Sequence, residues 1–302
     1  MRDGISASRV WLPKNTEKQW SLVVDFLVER FPFISEEIIK DRMLRGDIVD
    51  QHGDAFSSST PYQEEVFLFY YREIPDEPKI PFEENIIHKD DNIIVVDKPH
   101  FIPVTPTGRF VKESLLARLK HRFNNEAISP IHRLDRETAG IVMFTCNIDV
   151  RGDYQTLFQK REVKKVYQAI ARTSQKTFPY THKSRMEKGD PFFIMQEVAG
   201  DENSETVIDI HETQGDYCKY QLKPVTGKQH QLRVHMMSLG IPILNDPFYP
   251  DVLPDKGEDY SQPLQLLAKS ISFIDPITQE QRYFESEQEL NLDSLEISIL
   301  NK

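Results

Sequence analysis

The chain has 302 residues, 39% hydrophobic and 28% charged, with a formal net charge of −11. That size accommodates one large domain with a small companion, or two domains of medium size. No apolar run approaches the roughly 18 residues of a membrane span, the first residues lack an apolar signal core, and two cysteines exclude a disulfide scaffold. The cytoplasm is the expected compartment.

Acidity argues against a nucleic-acid partner only until the charges are placed. Residues 92–250 hold 22 basic and 18 acidic side chains, so the negative excess lies at the two ends. The local field near a site, not the total, steers a charged ligand. Basic runs occur at Arg109–Arg122 and Lys160–Lys165.

In chain order, helical spacing of Leu22, Val23, Phe26, Leu27 and Phe31 predicts a helix over 18–31, stopped by Pro32. Ser35 followed by Glu36 and Glu37 reads as the cap of a second helix ending at Leu44, before Gly46. Short strands follow at 47–50 and 66–70, around a turn at His52-Gly53-Asp54. Three prolines within residues 75–81 predict an extended linker. The expected division is a small module over 1–73, a Pro-rich linker over 74–83 and a main domain over 84–302.

In the main domain, residues 92–97 read as a buried strand ended by Lys98-Pro99. Residues 113–123 read as a helix with Arg118, Lys120 and Arg122 outward, and 148–160 as a further helix. Strands are expected at 163–171, 192–197, 206–211, 217–222, 266–273 and 283–284, with a helix over 229–239 stopped by Gly240. Successive hairpins imply a mostly antiparallel sheet, and the acidic tail from Glu285 is expected to fray. No fixed-period repeat occurs.

Residues 132–137, His-Arg-Leu-Asp-Arg-Glu, pack two arginines, a histidine and two carboxylates directly before the apolar run Ile141-Val142-Met143-Phe144. Charges beside a core strand are costly unless paired, and flanking arginines favour an ionised Asp135. From the residues alone two readings stand: Asp135 is a nucleophile on a loop, or it sits in a structural ion-pair corner. Period-two alternation places Val163, Lys165, Tyr167 and Ala169 on one strand face, where Tyr167 either lines a cleft or packs in the core. His230 and His235 lie too far apart around a helix to share a metal, and no phosphate-loop, nucleotide-binding or serine-elbow motif occurs. No metal and no cofactor, nucleotide or otherwise, are expected.

The run His132-Arg133-Leu134-Asp135, with Thr138 and Gly140, resembles the signature of the RluA-type pseudouridine synthases. Lys165-Val166-Tyr167-Gln168-Ala169 is similar to that family's Lys-x-Tyr-x-Ala strand. Residues 226–235, Thr-Gly-Lys-Gln-His-Gln-Leu-Arg-Val-His, continuing to Asp246-Pro247-Phe248-Tyr249, resemble its third motif. Asp97 stands where Asn is common, Ala139 where Ser is common and Asn245 where Gly is common.

The resemblance implies an α+β fold: a mostly antiparallel mixed sheet with flanking helices and a central RNA-binding cleft, plus a small N-terminal α/β module similar to a ribosomal-protein RNA-binding unit. It implies isomerisation of uridine to pseudouridine in ribosomal or transfer RNA. Asp135 would be the nucleophile, Tyr167 would stack on the base and assist the proton step at C5, and Arg233 would pair with Asp135. Arg133, which would fill the space the base vacates, and His132, Arg136, Lys165, Leu232 and His230 would contact substrate. The implied partner is a structured RNA loop, with no membrane, and the protein is expected to act as a monomer. The alternative is a catalytically silent RNA-binding protein of the same fold. A hydrolase acting on a glycoside would need a second carboxylate, for which Glu137 is the near candidate.

Overall fold

A computed structural model describes residues 4–5, 7–71, 77–255 and 257–292. The N-terminal module is a three-stranded antiparallel sheet of β1 (Ser8–Leu12), β2 (Ile48–Val49) and β3 (Val66–Tyr70), in the order β1-β3-β2. Helices α1 (Val23–Arg30) and α2 (Glu36–Leu44) cover it. Leu12, Val23, Phe26, Leu27, Ile39, Met43 and Leu68 form its core. The cap at Ser35 is as expected, its Oγ accepting from the Ile38 amide at 3.4 Å.

The first helix begins five residues later than its hydrophobic pattern suggests. The Asn15 side chain accepts from the Gln19 and Trp20 amides, and the Asp25 carboxylate takes those of Ser21 and Leu22, so the chain turns before it coils. The sequence pattern also missed β1. Of the linker, 72–76 lie outside the described residues. The rest is extended and fastened down: Glu77 accepts from the Val111, Lys112 and Glu113 amides, and Ile80 is buried.

The main domain is an 11-stranded sheet. Its elements are β4 (Asn85–Lys89), β5 (Ile93–Lys98), α3 (Leu115–Phe123), β6 (Ser129–Pro130), β7 (Ala139–Thr145), α4 (Arg151–Gln159), β8 (Lys164–Arg172) and β9 (Tyr180–Lys188). They continue with β10 (Met195–Val198), β11 (Ser204–Gln214), β12 (Tyr217–Pro224), α5 (Gln231–Ser238), β13 (Leu266–Ile274) and β14 (Gln281–Glu285). The path runs β10-β9-β11-β12-β8-β13-β7-β5-β4, with β14 beside β13 and β6 beside β7. Pairings are antiparallel except β7 with β13, which run parallel through Ala139–Leu267 and Gly140–Ala268. This is the α+β arrangement expected. β4 and β9 were not legible, β9 because Tyr180–Lys188 is mostly polar and exposed.

Two expectations about charge and order are corrected. Arg118 is not outward: its guanidinium donates to the Phe82 and Ile80 carbonyls and pairs with Glu84 and Glu113, clamping the extended segment onto α3. Lys120 is buried as well. Among the described residues, the segment after Glu285 does not fray. Asp97, buried at the end of β5, accepts from Ser286 Oγ, the Glu287 amide and Gln288 Nε2, while Leu290 and Leu292 enter the core beside Ala139. Residues 293–302 lie outside the described residues.

Candidate active site

The loop 131–138 joins β6 to β7 and carries Asp135 at the wall of a cleft of about 890 Å³. Its anchorage explains several motif residues. Gly140 has φ +107°, and a Cβ there would stand 2.3 Å from the Ala268 carbonyl oxygen. Only glycine therefore lets β7 run against β13 at this point. The Thr138 amide donates to the Asp135 carbonyl at 3.2 Å, closing the turn. Beneath it, Lys98 is fully buried and its Nζ donates to the Pro99 and Arg136 carbonyls, and His100 Nδ1–H donates to the Glu137 carbonyl at 2.7 Å. Burial lowers the Lys98 ammonium to about 7, against the opposing pull of Glu137 and Asp135.

Arg233, 1% exposed on α5, reaches across from the other side. Its Nε and Nη2 bind both oxygens of buried Asp246 at 2.8 and 2.6 Å, and its Nη1 donates to Asp135 Oδ2 at 3.1 Å. The planar guanidinium thus has two edges engaged, a geometry lysine cannot reproduce. Asp246 raises the Arg233 pKa, so the cation is permanent despite its burial. Asp135 has one oxygen anchored; the other takes no hydrogen bond among the described residues, and the side chain is 29% exposed. The flanking arginines do not form the ion-pair corner. Arg136 pairs with Glu137 at 3.3 Å and lies over the Phe110 ring, and Arg133 is exposed.

His230 has φ +53° just before α5, outside the helix that the spacing suggested. Tyr249 Oη accepts from the Met195 amide at 2.8 Å, so it donates its proton to His230 Nδ1 at 2.9 Å. That assignment leaves Nε2–H facing Asp135 Oδ2, 3.7 Å away, and burial lowers the His230 pKa. Tyr167 and Lys165 on β8 both line the cleft, as their shared strand face predicts. Burial and the nearby Asp135 raise the Tyr167 pKa, so it is a phenol at neutral pH. Leu232 belongs both to the core beside Ala169 and to the cleft lining. His132 contributes a wall, but its ring stacks on Phe158 and its Nε2 accepts from the Met143 amide, which commits it to holding the loop. Burial drops its pKa to about 3.

Among the described residues, six cations line the cleft, Arg133, Arg136, Arg161, Lys165, Lys228 and Arg233, against the single carboxylate of Asp135. The acidic total therefore does not describe the surface that matters. Asp246 and Lys98 are site residues that sequence reasoning gave no role, although Asp246 stands inside a quoted motif and Lys98 at the end of an expected strand. His182, Glu197 and His235 meet with metal-like spacing, which residue intervals did not reveal. Both nitrogens of His235 are nevertheless engaged by the Ser204 and Thr206 hydroxyls.

The family model described as RNA pseudouridylate synthase matches residues 92–238. The dual-specificity RNA pseudouridine synthase RluA of Pasteurella multocida is 30% identical over 207 residues, covering 65% of this chain and 89% of that one. The tRNA pseudouridine synthase C of Vibrio parahaemolyticus is 28% identical over 225 residues, covering 67% and 89%. The solved structure of human RNA pseudouridylate synthase domain containing 1 matches with a TM-score of 0.58 at 21% identity, over 74% of this chain and 98% of that one, which supports the fold. The chain belongs to the RNA pseudouridylate synthase family, of the RluA type. It is an isomerase of that class.

Two family departures acquire reasons. Asn245 has φ +61°, a left-handed conformation that glycine adopts freely and asparagine tolerates. Ala139 is fully buried among Ile170, Leu267, Leu290 and Leu292, a setting with no need for a hydroxyl.

Proposed function

We propose that this protein isomerises specific uridines to pseudouridine in a structured loop of transfer or ribosomal RNA, with Asp135 as the nucleophile. The observation that carries the reading is the split engagement of Asp135: one oxygen held by Arg233, the other free at the wall of a cation-lined cleft. The reaction breaks the N1–C1′ bond, forms C5–C1′, removes the C5 proton and protonates N1. It is balanced without a cofactor and needs a group that holds the nucleotide while the base turns. Asp135 supplies that hold, by adding to the ribose or to the base. Arg233 fixes its direction and compensates its charge.

Tyr167, retained as a phenol, offers the base a stacking face and a hydroxyl for the proton step at C5. The target must leave its stack to reach Asp135, at a cost of a few kcal/mol, which favours loops whose bases are already splayed. Arg133, exposed at the cleft and unengaged by carboxylates among the described residues, is placed to fill the vacated position. Lys165 and Lys228 meet backbone phosphate. The RNA named for the relatives, transfer RNA among them, supports the substrate class. The test is a map of pseudouridine in cellular RNA with and without the protein. Sites lost on deletion should return with the parent chain and not with Asp135→Ala; full rescue by Asp135→Ala contradicts the assignment.

A further inference from the structure

One aromatic group lies outside the chemistry described above. The segment between β9 and β10 carries Phe192, 80% exposed, at its tip. Exposure alone assigns it nothing, since single apolar side chains on a surface are ordinary and Phe33 is barer still. The ring is not isolated. Phe192 meets Phe193 edge-on at 5.7 Å, Phe193 meets Phe248 at 5.4 Å, and Phe248 meets His230 at 5.7 Å. His230 Nε2 in turn stands 3.7 Å from Asp135. An unbroken row of rings therefore leads from the nucleophile to the protein surface.

The row is fixed at its inner end and open at its outer end. Arg233 lies over the Phe248 ring at 4.9 Å, the same guanidinium that anchors Asp135. Gln229, a cleft-lining residue, donates from Nε2 to the Phe193 carbonyl at 3.4 Å, tying the segment to the cleft rim. Phe192 is not itself part of the cleft lining, but its neighbour Phe193 is tied to Gln229 in the wall of a cleft lined by six cations and sized for a nucleotide. Cations that track a backbone combined with an exposed ring are what a single-stranded nucleic acid requires, because every base has a face that stacks.

We propose that Phe192 is a stacking platform for an unpaired base neighbouring the target uridine, and that it helps select single-stranded loops over paired RNA. This rests on the reading of the cleft as an RNA site. The occupant is a base because the adjoining cleft is cationic, whereas an apolar protein partner would leave those charges unmatched.

The test compares Phe192→Ala, Phe192→Leu and Phe192→Trp in the full chain. Two probes are used: an RNA hairpin with a uridine-containing single-stranded loop, and total RNA from cells lacking the protein. The residue is exposed, so the melting temperature of each variant should match the parent. Phe192→Ala and Phe192→Leu should weaken hairpin binding about tenfold, within the range for loss of one base–aromatic stack. They should raise KM for total RNA in parallel with a smaller effect on kcat, and Phe192→Trp should restore both. Ultraviolet crosslinking should join the hairpin loop to the peptide bearing Phe192. Equal affinity for the parent and Phe192→Ala overturns the proposal and assigns the ring to a protein contact. A leucine that serves as well as phenylalanine overturns stacking. The two readings fail separately: Phe192-dependent binding without pseudouridine formation sinks the chemistry alone, and pseudouridine formation indifferent to Phe192 at limiting RNA sinks the platform alone.

Discussion

Arg233 carries two loads that can be separated by mutation. Removing it leaves Asp246 buried and unpaired, and breaking a buried pair from one side costs about 3–5 kcal/mol. Arg233→Ala is therefore expected to lose both stability and activity. Arg233→Lys keeps the charge but cannot bind Asp246 with two nitrogens and reach Asp135 with a third. It should fold with a modest loss and turn over at least about a hundredfold more slowly, a scale typical of misdirected catalytic groups. Single-turnover rates with thermal melts check this, and a lysine variant with near-parent rates would show that charge alone suffices. At this scale the sequence was half legible. The family resemblance supplied the Asp135–Arg233 pair, but the residues alone pointed to the neighbours Arg133 and Arg136, because adjacency in sequence says nothing about which guanidinium a loop turns toward. The true partner is 98 positions away.

At the scale of elements, the loop's position depends on strand pairing. Gly140→Ala would drive a Cβ into the Ala268 carbonyl at a backbone angle that disfavours side chains. The expected outcome is a loss of at least about 2 kcal/mol in chemical denaturation, with activity falling further than stability as the loop shifts. Lys165, on β8, is half-buried and its pKa is lowered by burial alone. Lys165→Met should weaken RNA binding and reduce the dependence of log affinity on log salt by about one phosphate's share; an unchanged salt slope would place Lys165 away from phosphate.

Legibility at this scale followed composition. β7, all seven residues buried, and β5 stood out as apolar runs. β9 and β4 did not, because their positions are polar or half-exposed and their identity comes from pairing with β11 and β5. The start of α1 slipped by five residues where Asn15 and Asp25 satisfied the first amides before coiling began, and that of α5 by two, where His230 takes a left-handed conformation.

For the whole molecule, several histidines are held neutral. Burial lowers His132 to about 3 and His100 and His235 to about 4, from an ordinary 6.5. The unfolded chain binds protons at these groups below about 6.5, and the folded chain does not until near pH 4. The stability contributed by these three rings is therefore full above about 6.5 and falls as pH drops through that window. Each histidine contributes a slope of about 1.4 kcal/mol per pH unit, so the three together give roughly 4. The urea midpoint should drop markedly between pH 7.5 and 5, and a flat midpoint would mean that these rings reach solvent. The global charge, by contrast, was a poor guide. The formal −11 coexists with a cleft of six cations, since the fold gathers basic residues from several elements onto one surface.

Asp135 is the group proposed to hold the nucleotide during base rotation. Asp135→Asn preserves the shape of the side chain and the hydrogen bond from Arg233 while removing the nucleophilic charge. The measurement is single-turnover pseudouridine formation on unmodified cellular RNA, with RNA affinity measured in parallel on the same protein. The expected result is RNA binding within a few fold of the parent and no detectable pseudouridine. Pseudouridine formed by Asp135→Asn at a rate near the parent's would contradict the account.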